Sequence, residues 1–351
     1  MAGASFLVAE PKLRIRKGVI ATSNSTASFN PPLVPIGTSI TSALLANANA
    51  LQSNLNNVDA GDSVTFAVVV ENLGSSPYGA FDVRISDTIP SGFALPTSLT
   101  VTNGNNQNIP FTGSVANFFG TAGIFLNNSF SFNFGSLKAF SSNSGTNIAV
   151  IKYTLQVPSL APCSNHANTA TIKNYSSAPG GPNYAFTGSV FGGPFSDAGT
   201  VTFAKPTITK KVIFTDNPQT TLPKVKIFEN VTYQVDVQLP EGTTPSVIVT
   251  DLPTNLNVFF VGNISGNYPV TTSPTINPST FPAGCGTPVT INFGTISVPA
   301  DNNIGNNGFK FELMARVCPP SGPSQASNIV NVIASATCQS SGGPKPLTIV
   351  P

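Results

Sequence analysis

The 351-residue chain has no tryptophan and one histidine, His166, and only 9% of its residues carry charge, about a third of the usual share. So little ionisable chemistry leaves few routes to an active site. No Gly-x-Ser-x-Gly elbow, phosphate loop or quartet of metal ligands occurs, and the sequence indicates a protein that is not an enzyme and needs no cofactor. The pair Cys163 and His166 has two-residue metal-ligand spacing, but without a second pair it predicts no metal. The net charge of +2 excludes the clustered basic surface that nucleic-acid binding needs. There is no run of 18 apolar residues, so no helix is expected to span a bilayer. Residues 1–9 lack the charged start and apolar stretch of a secretory signal, which implies either a signal already removed or a protein used without export.

What the chain does have is turn chemistry and alternation. It contains 30 glycines and 31 prolines among many Asn, Ser and Thr, with 40% apolar residues, enough to bury cores. The text also repeats itself. Lys17 and Val19, after a strand led by Pro11, match Lys210 and Val212 after Pro206. Val64, Thr65 and Phe66 match Val231, Thr232 and Tyr233, and the run Val83 to Asp87 matches Val247 to Asp251. Phe132 to Leu137 matches Ile291 to Ile296, Cys163 matches Cys318, and Asn168 to Ile172 matches Asn328 to Val332. These landmarks, in one order, mark two copies of a module, 1–204 and 205–351. Each alternates apolar and polar residues at period two. Short strands with turn signals between them predict an all-β fold, two tandem immunoglobulin-like antiparallel β-sandwiches. The first is enlarged by an insertion at about 21–58, in which Ile40, Leu44, Ala48, Leu51 and Leu55 have the spacing of a short helix over 40–55.

These landmarks resemble the repeat module called domain of unknown function 11, found in tandem on microbial surface proteins and related to isopeptide-forming fimbrial subunits. The resemblance covers nearly the whole chain and is looser at Asn328. It implies extracellular scaffolding such as stalks, adhesins, sheaths or pili, and no substrate.

Strand parity singles out one chemistry. Lys17 shares a face with Leu13, Ile15 and Val19, and Lys210 shares one with Ile208 and Val212. Asp87 lies with Val83 and Ile85, Asp251 with Val247 and Val249, Asn168 with Ala170 and Ile172, and Asn328 with Val330 and Val332. A buried lysine, carboxyl and asparagine in contact can form a Lys–Asn amide with loss of ammonia. Burial favours the neutral amine that attacks, and a protonated carboxyl can polarise the amide carbonyl. The order lysine, acid, asparagine is that of the isopeptide-forming relatives. Two candidate triads follow: Lys17, Asp87, Asn168 and Lys210, Asp251, Asn328. The competing reading has snorkelling lysines, turn-capping aspartates and strand-ending asparagines, because parity assigns faces and not neighbours.

Four cysteines allow three full pairings. The expected hairpin geometry favours Cys285 with Cys318 and leaves Cys163 without a partner in its own copy. Unpaired thiols would suggest assembly in a reducing compartment, as for a virion. Sequons at Asn24, Asn127, Asn174, Asn230 and Asn263 predict glycans only on an exported chain. The apolar, glycine-rich tract from Asn117 to Phe125 is either a buried loop or a contact patch. At the ends, Lys345 to Ile349 echoes the opening of a module, Lys205 to Thr209. That echo is explained by excision from a longer array, or by terminal-strand pairing with a neighbouring subunit. The expected function is a structural building block of an extracellular surface assembly that associates with itself or with neighbouring subunits. The alternatives are an adhesin using loops 103–108 or 302–307, and a minor virion protein.

Overall fold

Alternating apolar residues and frequent turn signals produce a chain whose regular structure is almost all strand among the described residues. The computed structural model describes residues 9–36, 38–127, 135–159, 162–253, 258–267, 274–280, 284–319, 325–326, 328–335, 338–342 and 347–349. They fall into two units: Met1–Val58, Asp62–Pro158 and Asn165–Thr202 in the first; Asp59–Gly61, Ser159–Ser164 and Phe203–Pro351 in the second. Both are immunoglobulin-like β-sandwiches.

The first unit holds β1 (Leu13–Thr22), β2 (Ser28–Asn30), β3 (Asn54–Val58), β4 (Ser63–Asn72), β5 (Phe81–Ser86), β6 (Thr100–Asn103), β7 (Phe111–Thr112), β8 (Ile124–Leu126), β9 (Ile148–Gln156), β10 (Asn165–Ser176) and β11 (Ser196–Phe203). One sheet has the order β1-β4-β9-β6 and the other β2-β3-β11-β10-β5-β8-β7. A single helical turn, α1 (Val115–Phe118), is closed by a capping box in which Ser114 and Asn117 satisfy each other's backbone.

The second unit holds β12 (Thr207–Thr215), β13 (Lys224–Val225), β14 (Asn230–Gln238), β15 (Gly242–Pro253), β16 (Val258–Asn267), β17 (Thr275–Asn277), β18 (Val289–Val298), β19 (Gly308–Val317), β20 (Gln325–Ala326), β21 (Asn328–Ser335), β22 (Cys338–Gly342) and β23 (Leu347–Ile349). Its sheets run β12-β14-β19-β16 and β17-β18-β15-β21-β22, with a small third sheet β13-β23-β20.

The two units share more than strand order. β1 pairs antiparallel with β4, Lys17 facing Val68 and Val19 facing Phe66, and the register slips after Val19. β12 pairs antiparallel with β14, Lys210 facing Val235 and Val212 facing Tyr233, and the register slips after Val212. A bulge at the same point of the same ladder is a conformational feature that the sequence match alone does not encode. Burial follows parity closely along β14 and β19. Their inward residues join Phe260, Val249 and Ile291 in one core, each large apolar side chain contributing about 1.5–3 kcal/mol on burial.

The helix expected over 40–55 does not form; the helical part of this stretch is a 3-10 turn at Leu44–Ala46, and its last two residues open β3. Asn47 and Asn49 are weak helix formers. The turn carbonyls are taken instead by arginines of β1: Arg16 donates to Leu45 O at 2.7 Å, Asn47 O at 2.8 Å and Ala50 O at 3.1 Å. Ile40, Leu45, Ala50 and Leu51 still bury, against Ala67, Val69, Ile148 and Val150. Hydrophobic anchoring therefore survives without the period that suggested a helix.

Candidate cross-linking sites

β1 delivers Lys17 to the interior of the first unit because Leu13, Ile15, Lys17 and Val19 all point inward, and all four are 0% exposed. The outer edge of β1 is closed by backbone bonds from Ile15 N to Pro194 O at 3.0 Å and Val19 N to Ser53 O at 2.7 Å. Between them the Asp197 carboxylate accepts from Lys17 N at 2.7 Å. β5 runs directly into Asp87, whose own N–H donates to Phe118 O of α1 at 2.7 Å. β10 brings in Asn168, also 0% exposed.

These three residues meet. Lys17 Nζ donates to Asp87 Oδ1 and, at 2.6 Å, to Asn168 Oδ1. Asp87 Oδ1 also accepts from Thr88 N at 2.8 Å. A fourth residue, absent from the sequence reading, completes the set. Tyr153 on β9 accepts from Lys17 Nζ at 2.8 Å and from Asn168 Nδ2 at 2.8 Å, and donates to Asp87 Oδ2 at 2.6 Å. Tyr153 alternates inward with Ile151 and Leu155. A buried tyrosine needs a partner for its hydroxyl, and that was the signal available in the sequence.

The surroundings are aromatic. Lys17 Nζ lies 5.4 Å from the Phe66 ring centroid and 5.5 Å from that of Tyr153. Phe118 and Phe119 meet Tyr153 edge-on at 5.9 and 4.8 Å. The tract from Asn117 to Phe125 thus supplies wall to the site through Phe118, while Phe125 stays exposed.

Desolvation governs the protonation states. Burial pushes the Lys17 amine down to about 8, against the opposing pull of Asp87. Burial likewise raises the Asp87 carboxyl, against Lys17 and the hydrogen bonds from Tyr153 and Thr88. It holds the Tyr153 phenol well above its ordinary range. The first two shifts favour the same product, a neutral amine beside a neutral acid, in contact with an amide carbonyl. That is the arrangement an acyl transfer from Asn168 to Lys17 requires.

In the second unit Lys210 is 1% exposed, is ion-paired with Asp251 and sits 3.9 Å from the Tyr233 ring centroid. Burial pushes its amine down to about 8. The side chain of Asn328 lies outside the described residues. Its backbone faces Pro253, and Val330 faces Asp251. In the first unit Thr171 faces Ser86, and Thr88 N donates to Thr169 O. By backbone register, both asparagines therefore sit two residues before the position opposite the aspartate.

Cys285 is bonded to Cys318 and Cys163 to Cys338, so no thiol is free. Cys163 lies in the segment Ser159–Ser164, which belongs to the second unit, so its bond to Cys338 falls within that unit. Being in a disulfide, Cys163 is not available as a ligand beside His166, whose ring packs edge-on at 5.9 Å against Phe93. Among the described residues no group of acids, histidines and cysteines could hold a metal ion, and no helix is long and apolar enough to cross a membrane.

No family model matches the chain, and no curated protein matches it in sequence; the likeness to domain of unknown function 11 rests on the landmarks above. Solved structures do match. The C-terminal domain of the Streptococcus agalactiae AgI/II polypeptide BspA is 9% identical, with 84% of this chain and 96% of that one covered at a TM-score of 0.29. A point variant of BcpA, the major pilin subunit of Bacillus cereus, is 11% identical over 76% of this chain and 70% of that one, at a TM-score of 0.31. The Corynebacterium diphtheriae major pilin SpaA is 15% identical over 49% and 44%, at a TM-score of 0.28.

Proposed function

We propose that this chain is a non-enzymatic structural element of an extracellular or cell-surface assembly, with the first module locked by an amide between Lys17 and Asn168. The observation that carries the reading is the fully buried set Lys17, Asp87 and Asn168 in mutual hydrogen bonding. A buried ion pair is a poor way to gain stability, since apolar residues of similar volume do as well or better. Its presence is accounted for if the pair is a reactant. Lys17 Nζ forms a bond to Asn168 Cγ, the bond from Cγ to Nδ2 breaks, and the nitrogen leaves as ammonia. Lys17 gives up two protons, one to Asp87 and one to the departing nitrogen.

Paired cysteines support an oxidising compartment, because such bonds persist outside reducing cytoplasm, and they weigh against assembly in a reducing one. The loops that an adhesin would present spend their polar groups internally. Asn103 Oδ1 accepts from Asn105 N and Gln107 N at 2.9 and 3.0 Å. Asn306 Nδ2 donates to Asp301 Oδ2 at 2.9 Å. A scaffold is favoured over a ligand-binding module for that reason. Polymerisation through a terminal strand remains part of the proposal. β23 is held in its own unit by two register pairs to β13 and two to β20, a short grip that a neighbouring subunit can replace.

The test is intact-mass measurement of the reduced, denatured chain, with peptide mapping. The expected result is a mass short by at least one ammonia and a branched peptide joining Lys17 to Asn168; the full sequence mass would remove the reading. Deleting residues 342–351 and measuring particle size tests the strand route, which an unchanged assembly would exclude.

A further inference from the structure

The amide reaction must carry a proton from Lys17 Nζ to Asn168 Nδ2, and the hydrogen bonds that Nζ makes to the aspartate and the asparagine end on Asp87 Oδ1 and Asn168 Oδ1, not on that nitrogen. When Lys17 Nζ attacks, its nitrogen becomes cationic and must shed a proton, while Asn168 Nδ2 must gain one before it can depart. Asp87 already holds the proton that Lys17 gave up to become nucleophilic. One oxygen touches both nitrogens: Tyr153 Oη lies 2.8 Å from Lys17 Nζ and 2.8 Å from Asn168 Nδ2.

We propose that Tyr153 is a catalytic residue of the cross-link in the first unit, a bifunctional relay that takes the proton from the attacking nitrogen while passing its own to the leaving nitrogen. The inference rests on the amide reading above. Before reaction the phenol proton points to Asp87 Oδ2 at 2.6 Å. Once Asp87 accepts a proton from Lys17, its carboxyl is a weaker acceptor, and the phenol O–H is released to turn towards Nδ2. Every proton is then accounted for. Lys17 loses two, Asp87 ends protonated, Tyr153 ends as it began, and ammonia leaves with three hydrogens. No phenolate needs to persist, which suits a phenol that burial holds well above its ordinary range. Phe118 and Phe119 against the ring fix where the hydroxyl sits, and positioned proton transfer of this kind is worth about 10²–10⁴-fold in rate.

Backbone register makes the second unit the natural contrast. Tyr153 faces Phe66 across β4 and β9, whereas Leu313 faces Tyr233 across β14 and β19. The position that carries the relay in the first unit carries an aliphatic residue in the second.

The experiment follows ammonia loss with time in freshly translated chain, by intact mass and by the Lys17–Asn168 peptide. Three chains are compared: wild type, Tyr153→Phe, and chains with mono- or difluorotyrosine at position 153. Expected are rapid closure in wild type, about 100-fold slower closure in Tyr153→Phe, and fluorotyrosine rates ordered by phenol acidity. A packing role would not give that ordering, and the fluorinated chains keep the test alive if Tyr153→Phe fails to fold. Wild type that keeps its ammonia overturns the amide itself. Wild type and Tyr153→Phe closing equally fast, or fluorotyrosine rates that ignore acidity, overturn only the relay.

Discussion

Two modules cut from one sequence pattern hold a buried lysine in different company. Both place it on the first strand of the same four-stranded ladder, two residues before the last inward position ahead of a bulge, and both pair it with an aspartate. In the first unit the lysine has an asparagine and a tyrosine hydroxyl around it. In the second it lies over the Tyr233 ring, and the strand that supplied the hydroxyl supplies Leu313. Disulfides divide the other way. Both lie in the second unit, and the first has none. The comparison teaches that matching backbone register places lysine and aspartate alike in both units, while the facing strand puts a tyrosine beside the pair in one and a leucine at the equivalent position in the other. The second unit is fastened by disulfides, and the proposed amide would give the first a covalent fastening of another kind.

The largest expected effect separates the units at their aspartates. Asp87→Ala leaves Lys17 buried without a counter-charge, at about 3–5 kcal/mol, and also blocks the amide. Asp251→Ala exposes Lys210 to the same penalty while both disulfides remain. Melting of each variant, followed by proteolysis to assign the transition, is expected to show the first unit lost more completely than the second. Equal losses would mean that the first unit has no covalent lock of its own.

Reduction acts on the opposite side of the comparison. Opening Cys285–Cys318 and Cys163–Cys338 is expected to cost the second unit about 2–5 kcal/mol for each bond and to leave the first unit unchanged. Thermal melts with and without reductant, with cleavage products mapped, check this.

Alkaline pH separates them without mutation. A lysine pushed down to about 8 when folded, against an ordinary value of 10.5, binds fewer protons in the native state than in the unfolded state between those limits. Stability then rises with pH through that window, and the penalty is present in full below it. A unit whose lysine has become an amide has lost that amine, and with it this rise. Denaturant melts from pH 7 to 10.5 are expected to show the rise in the second unit alone. A rise in the first would mean that Lys17 is still an amine. Closure of freshly made chain is expected to slow above about pH 8, where the lysine–aspartate pair loses the single proton it shares.

Much of this was legible from residue order. Period-two alternation and repeated landmarks gave the strands, the duplication and the inward faces of Lys17, Asp87 and Asn168, because burial on a pleated sheet leaves little freedom once one face is apolar. The 40–55 stretch misled because Ile40, Leu44 and Leu51 reach one shared apolar cluster without a helix, in a segment whose carbonyls are captured by Arg14 and Arg16 of β1. Tyr153 went unnoticed for a related reason. Its partners are 15 to 136 residues away in sequence, and they reach it from β1 in its own sheet and from the β5–β10 side of the other sheet. The partner of Cys163 was hidden because the module boundary drawn in sequence at 204 and the spatial grouping of Ser159–Ser164 do not coincide.

The smallest expected effect on stability is the most pointed on mechanism. Leu313→Tyr places a phenol in the second unit at the register position that Tyr153 occupies in the first. Leu313 is 2% exposed and packed in the core, so a larger ring costs about 1–3 kcal/mol, which the two disulfides help the unit to tolerate. If the relay is what the second unit lacks, ammonia loss assigned to Lys210 and Asn328 accelerates in Leu313→Tyr, while Leu313→Phe, equally bulky but without the hydroxyl, does not accelerate it. Peptide mapping of the two variants against wild type decides between a proton path and mere bulk. Equal behaviour of tyrosine and phenylalanine at 313 would remove the proton path as the feature that separates the units.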